Sequence, residues 1–380
     1  MAITRVLQVF TIMNRGGAES MIMNYYRSIN KNKVQFDFLV HRKEKAAFDD
    51  EIERLGGKIY RLSPINPLSP GRYYNELRSF FKQHQEYQIV HSHINTFSSF
   101  PLKIAKEFGI PCRIAHAHIA IESIGFNDLL QNTESLKETF KKLIKLHLKK
   151  KIGSYSTHNF SCGEKAGKWL FGEGATFTIM NNAINAKAFA YNPEVSAQYK
   201  AKYGLEGQLV IGHVGRFTSQ KNHAYLLNIF NSLVKKHKNC ILVLIGDGPL
   251  REKIETDAKK LSIYDKIRFL GVRTDIPELY QMLDVFVFPS FYEGLPVTLI
   301  EAQSAGLMVY ASDRITNEVF LTKDIEFLSI TAPPEEWADK IMKKASSEKY
   351  NNFDLIKEKG YDIQKNTEIF QDFYLKQALY

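Results

Sequence analysis

Only three cysteines, Cys112, Cys162 and Cys240, occur in 380 residues, widely spaced and with no Cys-x-x-Cys. An odd, scattered set of this kind argues against a disulfide framework and against a structural zinc site, and a reducing compartment is expected. Long apolar runs are also missing, so no stretch approaches the length a bilayer span needs. The chain opens Met1-Ala-Ile-Thr-Arg and enters a strand-like run without a charged-then-apolar leader, which sets the expectation of a cytosolic protein. Glycine (22) and proline (12) are not in excess, which excludes collagen-like and low-complexity readings. Two phosphate-loop patterns are absent as well. No Gly-x-Gly-x-x-Gly occurs, and Gly163-Glu-Lys-Ala-Gly167-Lys168 lacks the P-loop spacing and its following Ser or Thr.

What remains is a soluble globular composition, 44% hydrophobic, 24% charged and 12% aromatic, long enough for two domains of average size. Its net charge of +10 is not shared evenly. Residues 1–185 hold 26 basic against 16 acidic side chains, and the rest of the chain is neutral. A one-sided field suits a polyanion, an anionic membrane surface or an anionic substrate. The densest basic part, 134–151, carries seven lysines around Leu136, Phe140, Leu143, Ile144 and His147/Leu148 at helical spacing. The pattern fits a surface helix packing its stripe on a core, and it equally fits a helix lying on anionic lipid. Nucleic acid is not expected, because no aromatic-interleaved basic groove accompanies the charge.

Strand-like runs at 5–10, 34–40, 58–62, 88–92 and 114–117 alternate with helical patterns at 18–29, 44–55, 72–84 and 97–108. A second series follows: strands at 209–214, 241–245, 266–270, 284–288 and 308–311, and helices at 224–236, 250–261, 276–282 and 297–305. The rhythm predicts an α/β protein of two doubly wound Rossmann-like domains facing a cleft. The expected boundaries are 1–185, 186–364 and a closing helix, 365–380, with Ile369, Phe370, Phe373, Tyr374 and Leu379 to bury. The stretch 181–207 reads as the linker.

Chemistry is expected where such strands end. Gly16-Gly17 sits in a strand-to-helix turn, where glycine either makes the turn or lets phosphates approach a helix N-terminus. Arg216 and Lys221 follow the strand 209–214, a fork and a point charge suited to a diphosphate, with a plain salt bridge as the alternative. In Pro289-Ser-Phe-Tyr-Glu293-Gly294-Leu295-Pro296-Val297-Thr-Leu-Ile-Glu301, a strand, a turn and a helix N-terminus place Glu293 at the mouth to touch a sugar. Glu301 lies a turn or two inside, able to accept from a ribose diol. His91-Ser-His93 and His116-Ala-His118 each end a strand with both members on one face. A metal site there is disfavoured for want of a nearby carboxylate or cysteine. No Asp-x-Asp occurs anywhere to hold a metal against a nucleotide-sugar diphosphate.

Gly16-Gly17-Ala18-Glu19, His91-Ser-His93, Gly215-Arg216 with Lys221-Asn222, Gly246-Asp-Gly248-Pro249, Phe269-Leu-Gly271, Pro289-Ser, and Glu293-Gly294-Leu-Pro with Glu301-Ala recur together in order along nearly the whole chain. Together they resemble the retaining family-4 glycosyltransferases of the two-domain GT-B fold. Arg113-Ile-Ala-His-Ala-His118, Glu301-Ala-Gln-Ser-Ala-Gly-Leu307 and Ser312-Asp-Arg-Ile-Thr-Asn-Glu318 resemble the branch that builds capsular and exopolysaccharide repeat units.

The resemblance implies that Arg216 and Lys221 bind the donor diphosphate and offset charge on the leaving group. It implies that Glu301 holds the ribose and Glu293 lies by the donor sugar, with Gly294, Leu295 and Val297 lining the nucleotide side. Gly16 and Gly17 would leave room for the diphosphate from the first domain. His118, or His116 two residues away, would be the acceptor-side histidine. Neither metal nor cofactor is implied beyond a nucleotide-sugar, expected to be UDP-linked, as co-substrate. The expected reaction moves its sugar to a lipid-diphosphate-linked saccharide, the basic first domain resting on the inner membrane face. A nucleotide-sugar epimerase or hydrolase on the same fold, or a non-catalytic nucleotide-sugar-binding subunit, are the rival readings.

Overall fold

A computed structural model describes residues 3–119, 136–344 and 348–378. Two compact units divide the chain, Met1–Asn182 with Ile363–Tyr380, and Ala183–Asp362. Among the described residues, no helix is long and apolar enough to cross a membrane.

The first unit is built on seven strands: β1 (Thr4–Phe10), β2 (Val34–Val40), β3 (Ile59–Arg61), β4 (Ile89–Ser92), β5 (Cys112–Ala117), β6 (His158–Ser161) and β7 (Thr178–Ile179). Their order is β3-β2-β1-β4-β5-β6-β7, every pair parallel. Six more strands form the second sheet: β8 (Leu209–Val214), β9 (Cys240–Ile245), β10 (Ile267–Gly271), β11 (Val285–Phe288), β12 (Met308–Ser312) and β13 (Ile325–Leu328). These are also all parallel, in the order β10-β9-β8-β11-β12-β13. In each sheet the first strand lies inside, the chain builds outward on one side, then returns to build on the other. Loops leaving the two strands at that return diverge, and the space between them is where ligands bind in such folds.

Burial on both faces explains the composition of the strands. Along β9, Cys-Ile-Leu-Val-Leu-Ile is wholly buried. Ile241, Val243 and Ile245 enter one core, and Cys240, Leu242 and Leu244 the other. Asp37, in the middle of β2, is a charged side chain at 0% exposure. Arg5 grips it through two nitrogens at 2.5 and 2.6 Å, and Tyr87 Oη and the Lys58 amide donate to it at 2.7 Å. A buried charge persists only with such a full set of partners.

Four expectations need correction. The presumed linker 181–207 contains two helices, Ala186–Phe189 and Pro193–Tyr203. Asn192 caps the second by accepting from the Glu194 and Val195 amides, Pro193 takes its first turn, and Gly204 ends it in the left-handed conformation. Those are the start and stop signals such a helix needs. The helix expected over 44–55 is confined to Asp49–Arg54, because Asp49 turns back to accept from the Ala46 amide at 2.7 Å. In the helix Leu136–Tyr155, the inward seam is half-buried Ile144 with buried Leu148 and Ile152 at four-residue spacing, while Leu143 is 58% exposed and His147 also faces solvent. The side chains of Leu136 and Phe140, and residues 134 and 135, lie outside the described residues. Finally, the closing helix is Ile363–Gln377, and Ile369 lies on its exposed side. Phe370 and Tyr374 are buried, against Tyr25 at 5.7 Å and Phe36 at 5.8 Å between ring centroids. Leu379 lies outside the described residues.

Gly246 has φ +132°, and a Cβ there would stand 2.1 Å from the Gly215 carbonyl oxygen. Backbone strain and a backbone clash therefore coincide. Gly246→Ala is expected to lower the urea-unfolding stability by about 2 kcal/mol or more. An unchanged midpoint would show that the Gly215 loop can recede.

Candidate active site

In the second unit, β8 and β11 are the strands at the return, and the loops leaving them are stitched to their neighbours. After β8, the Gly215 amide donates to Ile245 O and the Phe217 amide to Asp247 O, both at 3.0 Å; the Leu250 amide donates back to Phe217 O at 3.0 Å. A Cβ on Gly248 would meet Phe217 backbone within 2.7 Å, so both glycines of Gly246-Asp-Gly248 serve this close approach. The outcome is a rigid shelf carrying Arg216, whose guanidinium is exposed and has no partner among the described residues.

Past the shelf, the turn Ser219–Lys221 is joined to the loop after β11. The Phe291 amide donates to Gln220 O (2.9 Å), Gln220 Nε2 to Tyr292 O (2.9 Å) and Asn222 Nδ2 to Pro289 O (3.2 Å). Lys221 Nζ thereby reaches Glu293 Oε1 at 2.7 Å and stands 4.4 Å above the Phe288 ring. Both side chains are largely buried, 14% and 9% exposed. The two cations expected to act as a set are thus in different states. Lys221 is already neutralised by Glu293, and Arg216 has no partner among the described residues.

Leu295 is buried, Gly294 exposed and Val297 half-buried at the start of the helix Val297–Ser304, with Pro296 at its N-cap. Glu301, one turn in, is half-buried overall. Desolvation of its carboxyl pushes the pKa up to about 7, partly offset by the Tyr280 hydroxyl, which donates to Oε2 at 3.1 Å. Sequence reasoning missed Tyr280, and it missed His213 and His223. These two flank the Arg216–Lys221 loop, fully buried, with His213 Nε2 and both His223 ring nitrogens lacking hydrogen bonds. Burial, reinforced by the Lys221 charge, takes His223 down to about 4, so it is neutral there. A histidine either side of a strand-end Arg/Lys loop was the available signal.

The first unit repeats the arrangement at β1, β4 and β5. Gly16 caps the helix Gly17–Ser28, but the place a Cβ would take on Gly16 lies 2.2 Å from Glu19 Oε2. The side of Gly16 that a Cβ would take is therefore filled by a carboxylate, which burial makes harder to ionise. Nothing approaches the corresponding position on Gly17 within 4 Å.

His91, His93, His116 and His118 form one buried layer at the ends of β4 and β5. His91 stacks on His93 at 4.2 Å and His116 on His118 at 4.1 Å. Tyr374 Oη bonds His91 Nδ1 (2.8 Å), and His91 Nε2 bonds His116 Nδ1 (3.0 Å). Gln8 Oε1 bonds His93 Nε2 (2.8 Å), and His93 Nδ1 bonds His118 Nε2 (2.9 Å). The His118 amide donates to Asn95 Oδ1 at 2.9 Å. Burial drives all four well below the ordinary histidine value, His118 to about 3. Ring nitrogens of His91, His93 and His116 lie within 4.8 Å of one another, near enough to share a metal ion. Those of His91 and His93 are already engaged with protein partners, and of the three rings only His116 Nε2 has none among the described residues. His116 is enclosed at 0% exposure, and His118, at the end of the layer, keeps 7%.

The family "Glycosyl transferases group 1" matches residues 195–359. Over 97% of its length the chain is 37% identical to EpsF of Bacillus subtilis (strain 168), covering 96% of that protein. It is 25% identical, over 99% of both chains, to the capsular polysaccharide biosynthesis glycosyltransferase CapH of Staphylococcus aureus. It is also 25% identical, over 90% of its length and 89% of the relative's, to an Escherichia coli UDP-Gal:alpha-D-GlcNAc-diphosphoundecaprenol alpha-1,3-galactosyltransferase. Among solved structures, Anabaena Alr3699/HepE in complex with UDP superposes with a TM-score of 0.75 at 12% identity, over 97% of this chain and 99% of that one. The shelf after β8, the loop after β11 and the helix carrying Glu301 all fall within the matched segment, and the chain belongs to the group 1 glycosyl transferases, on the two-domain GT-B fold.

Proposed function

We propose that the protein is a retaining, metal-independent, family-4 type hexosyltransferase. It moves a sugar from a UDP-linked donor to a lipid-diphosphate-linked saccharide in capsular or exopolysaccharide synthesis. The observation that carries this reading is the convergence of Arg216, Lys221 and Glu293 on the carboxyl ends of β8 and β11, one cation held by a carboxylate and the other without a partner among the described residues. In the reaction the bond from the anomeric carbon to the diphosphate breaks, an acceptor hydroxyl oxygen bonds that carbon, and the nucleoside diphosphate leaves. Its growing negative charge meets Arg216, preorganised on the rigid shelf, and Lys221, which Glu293 and Phe288 hold in place. Glu293 lies by the donor sugar, and Glu301, ionised, accepts from the ribose hydroxyls. Gly294, Leu295 and Val297 line the nucleotide, and His118 contacts the donor sugar. A diphosphate reaching Gly16 and Gly17 displaces the Glu19 carboxylate. UDP as the donor nucleotide is supported by the UDP bound in the Anabaena neighbour, and the acceptor class by the activity for which the Escherichia coli relative is named.

The first unit is assigned to the acceptor and to the inner face of the cell membrane. Its +10 charge supports this. So does the helix Leu136–Tyr155, which exposes Leu143 and Leu146 beside Lys145, Lys150 and Lys151. Apolar side chains amid lysines suit an anionic lipid surface.

Radiolabel from UDP-glucose, UDP-galactose, their N-acetyl counterparts and GDP-mannose, offered singly with EDTA to a capsule-producing membrane, is expected to enter the lipid fraction from one UDP donor. Glu293→Ala and Arg216→Ala should each abolish at least 99% of it. Nucleotide released without acceptor would replace the transferase by a hydrolase or epimerase.

Flotation with vesicles containing anionic lipid at low salt should recover the wild type. A Leu143→Ser/Leu146→Ser/Lys150→Glu variant should bind at least tenfold more weakly, and a wild type that stays wholly unbound would remove the membrane assignment.

UDP affinity is expected to fall as pH drops through about 7, because the raised Glu301 pKa protonates the ribose acceptor there. Glu301→Gln should bind more weakly and show no such limb in calorimetry. The same raised value means that ionising Glu301 opposes folding. Stability should therefore decline between the unfolded value near 4.5 and about 7 in the wild type and not in the variant.

A further inference from the structure

Gln8 on β1, His93 after β4 and His118 after β5 form a hydrogen-bonded chain across three adjacent strands, all buried. A neutral imidazole has one nitrogen that donates and one that accepts. The carbonyl oxygen of Gln8 can only accept, so His93 Nε2 carries its hydrogen and His93 Nδ1 is left as a lone pair. His118 Nε2 must then donate to that lone pair. Its remaining nitrogen, Nδ1, is consequently a bare acceptor, to which no described residue bonds. Burial keeps both rings neutral, so the direction persists across the physiological range.

We propose that Gln8 and His93 are positioning residues that hold His118 in the Nε2–H tautomer, making its Nδ1 an acceptor for one hydroxyl of the transferred sugar. The inference rests on the assignment of His118 to the donor sugar. It adds a selection rule to that assignment: a group that can donate a hydrogen bond is required at that position of the sugar. A fluorine or hydrogen there cannot donate.

The tautomer is read directly by two-bond proton–nitrogen NMR of the full-length protein labelled at its histidine rings, with His118→Asn identifying the signals. Wild-type His118 is expected to show a protonated Nε2 and an unprotonated Nδ1, unchanged from pH 6 to 8. Gln8→Leu, which removes the acceptor that sets the direction, should mix the tautomers at His118 and lower kcat about tenfold. Its UDP affinity should stay within twofold of wild type, which also reports that the second unit is intact. Gln8→Glu keeps an accepting oxygen and should retain both the tautomer and a kcat within about threefold of wild type. Among monodeoxyfluoro donors, one should lose turnover in the wild type and lose nothing further in His118→Asn.

A protonated Nδ1 in the wild type overturns the proposal, since it means that the Gln8 amide faces His93 with its nitrogen. So does a Gln8→Leu variant with an unmixed tautomer and wild-type kcat. If His118→Asn transfers sugar at the wild-type rate, the assignment of His118 to the donor sugar fails, whatever the tautomer. If His118→Asn is inactive while Gln8→Leu is not impaired, only the positioning role fails.

Discussion

A parallel sheet brings every strand's carboxyl end to one edge, and that constraint organises both halves of this protein. Each strand must be re-entered from the opposite edge, so the outgoing loops collect together and the crossover helices occupy the faces. In both sheets the chain builds outward from an interior strand, then returns to that strand's other side. Loops from β8 and β11 leave that point in the second unit, and loops from β1 and β4 leave it in the first. His93, Lys221 and Glu293 owe their neighbours to this topology, since nothing local in the sequence brings them near their partners.

The two sites solve opposite electrostatic problems. In the second unit, charge is retained: Lys221 and Glu293 neutralise each other in a largely dry setting, and Arg216, unpaired among the described residues, stands on a shelf made rigid by backbone hydrogen bonds. An incoming anion then meets a fixed cation and rearranges little. In the first unit, charge is suppressed. Four histidines packed ring on ring stay neutral because desolvation and mutual repulsion both resist protonation. Such a layer can define directions for hydrogen bonds without storing a charge.

Much of this was legible in the sequence. Buried parallel strands announce themselves as short apolar runs, and the two sheets follow from their alternation with helices. The residues past those runs, Arg216, Lys221, Glu293, Glu301 and the four histidines, could be marked as strand-end candidates. Their pairing could not. Lys221 and Glu293 are 72 residues apart, Tyr280 and Glu301 are 21 apart, and no periodicity reports that one side chain will bond the other. The Glu19 carboxylate over Gly16 was also invisible, because a glycine that makes space looks the same whether a ligand or a neighbouring side chain fills it. Two helices within 181–207 were overlooked although Asn192-Pro193 and Gly204 marked one of them. The helix Pro193–Tyr203 has mixed polarity with no apolar stripe, so only its capping residues mark it.

The closing helix Ile363–Gln377 belongs to the first unit, and Tyr374 on that helix bonds the histidine layer through His91. All of Ala183–Asp362 is therefore synthesised between the two parts of one core. At about 5–20 residues per second the ribosome needs roughly 10–40 s to make that interval. For that time the nascent first unit exposes the aromatic bed of Tyr25, Phe36 and Phe160, which Phe370 and Tyr374 later cover. The second unit is contiguous in sequence and can complete its core first. The order of folding on the ribosome thus runs against the order of the chain, and it leaves a sticky, half-built domain for a chaperone to shield.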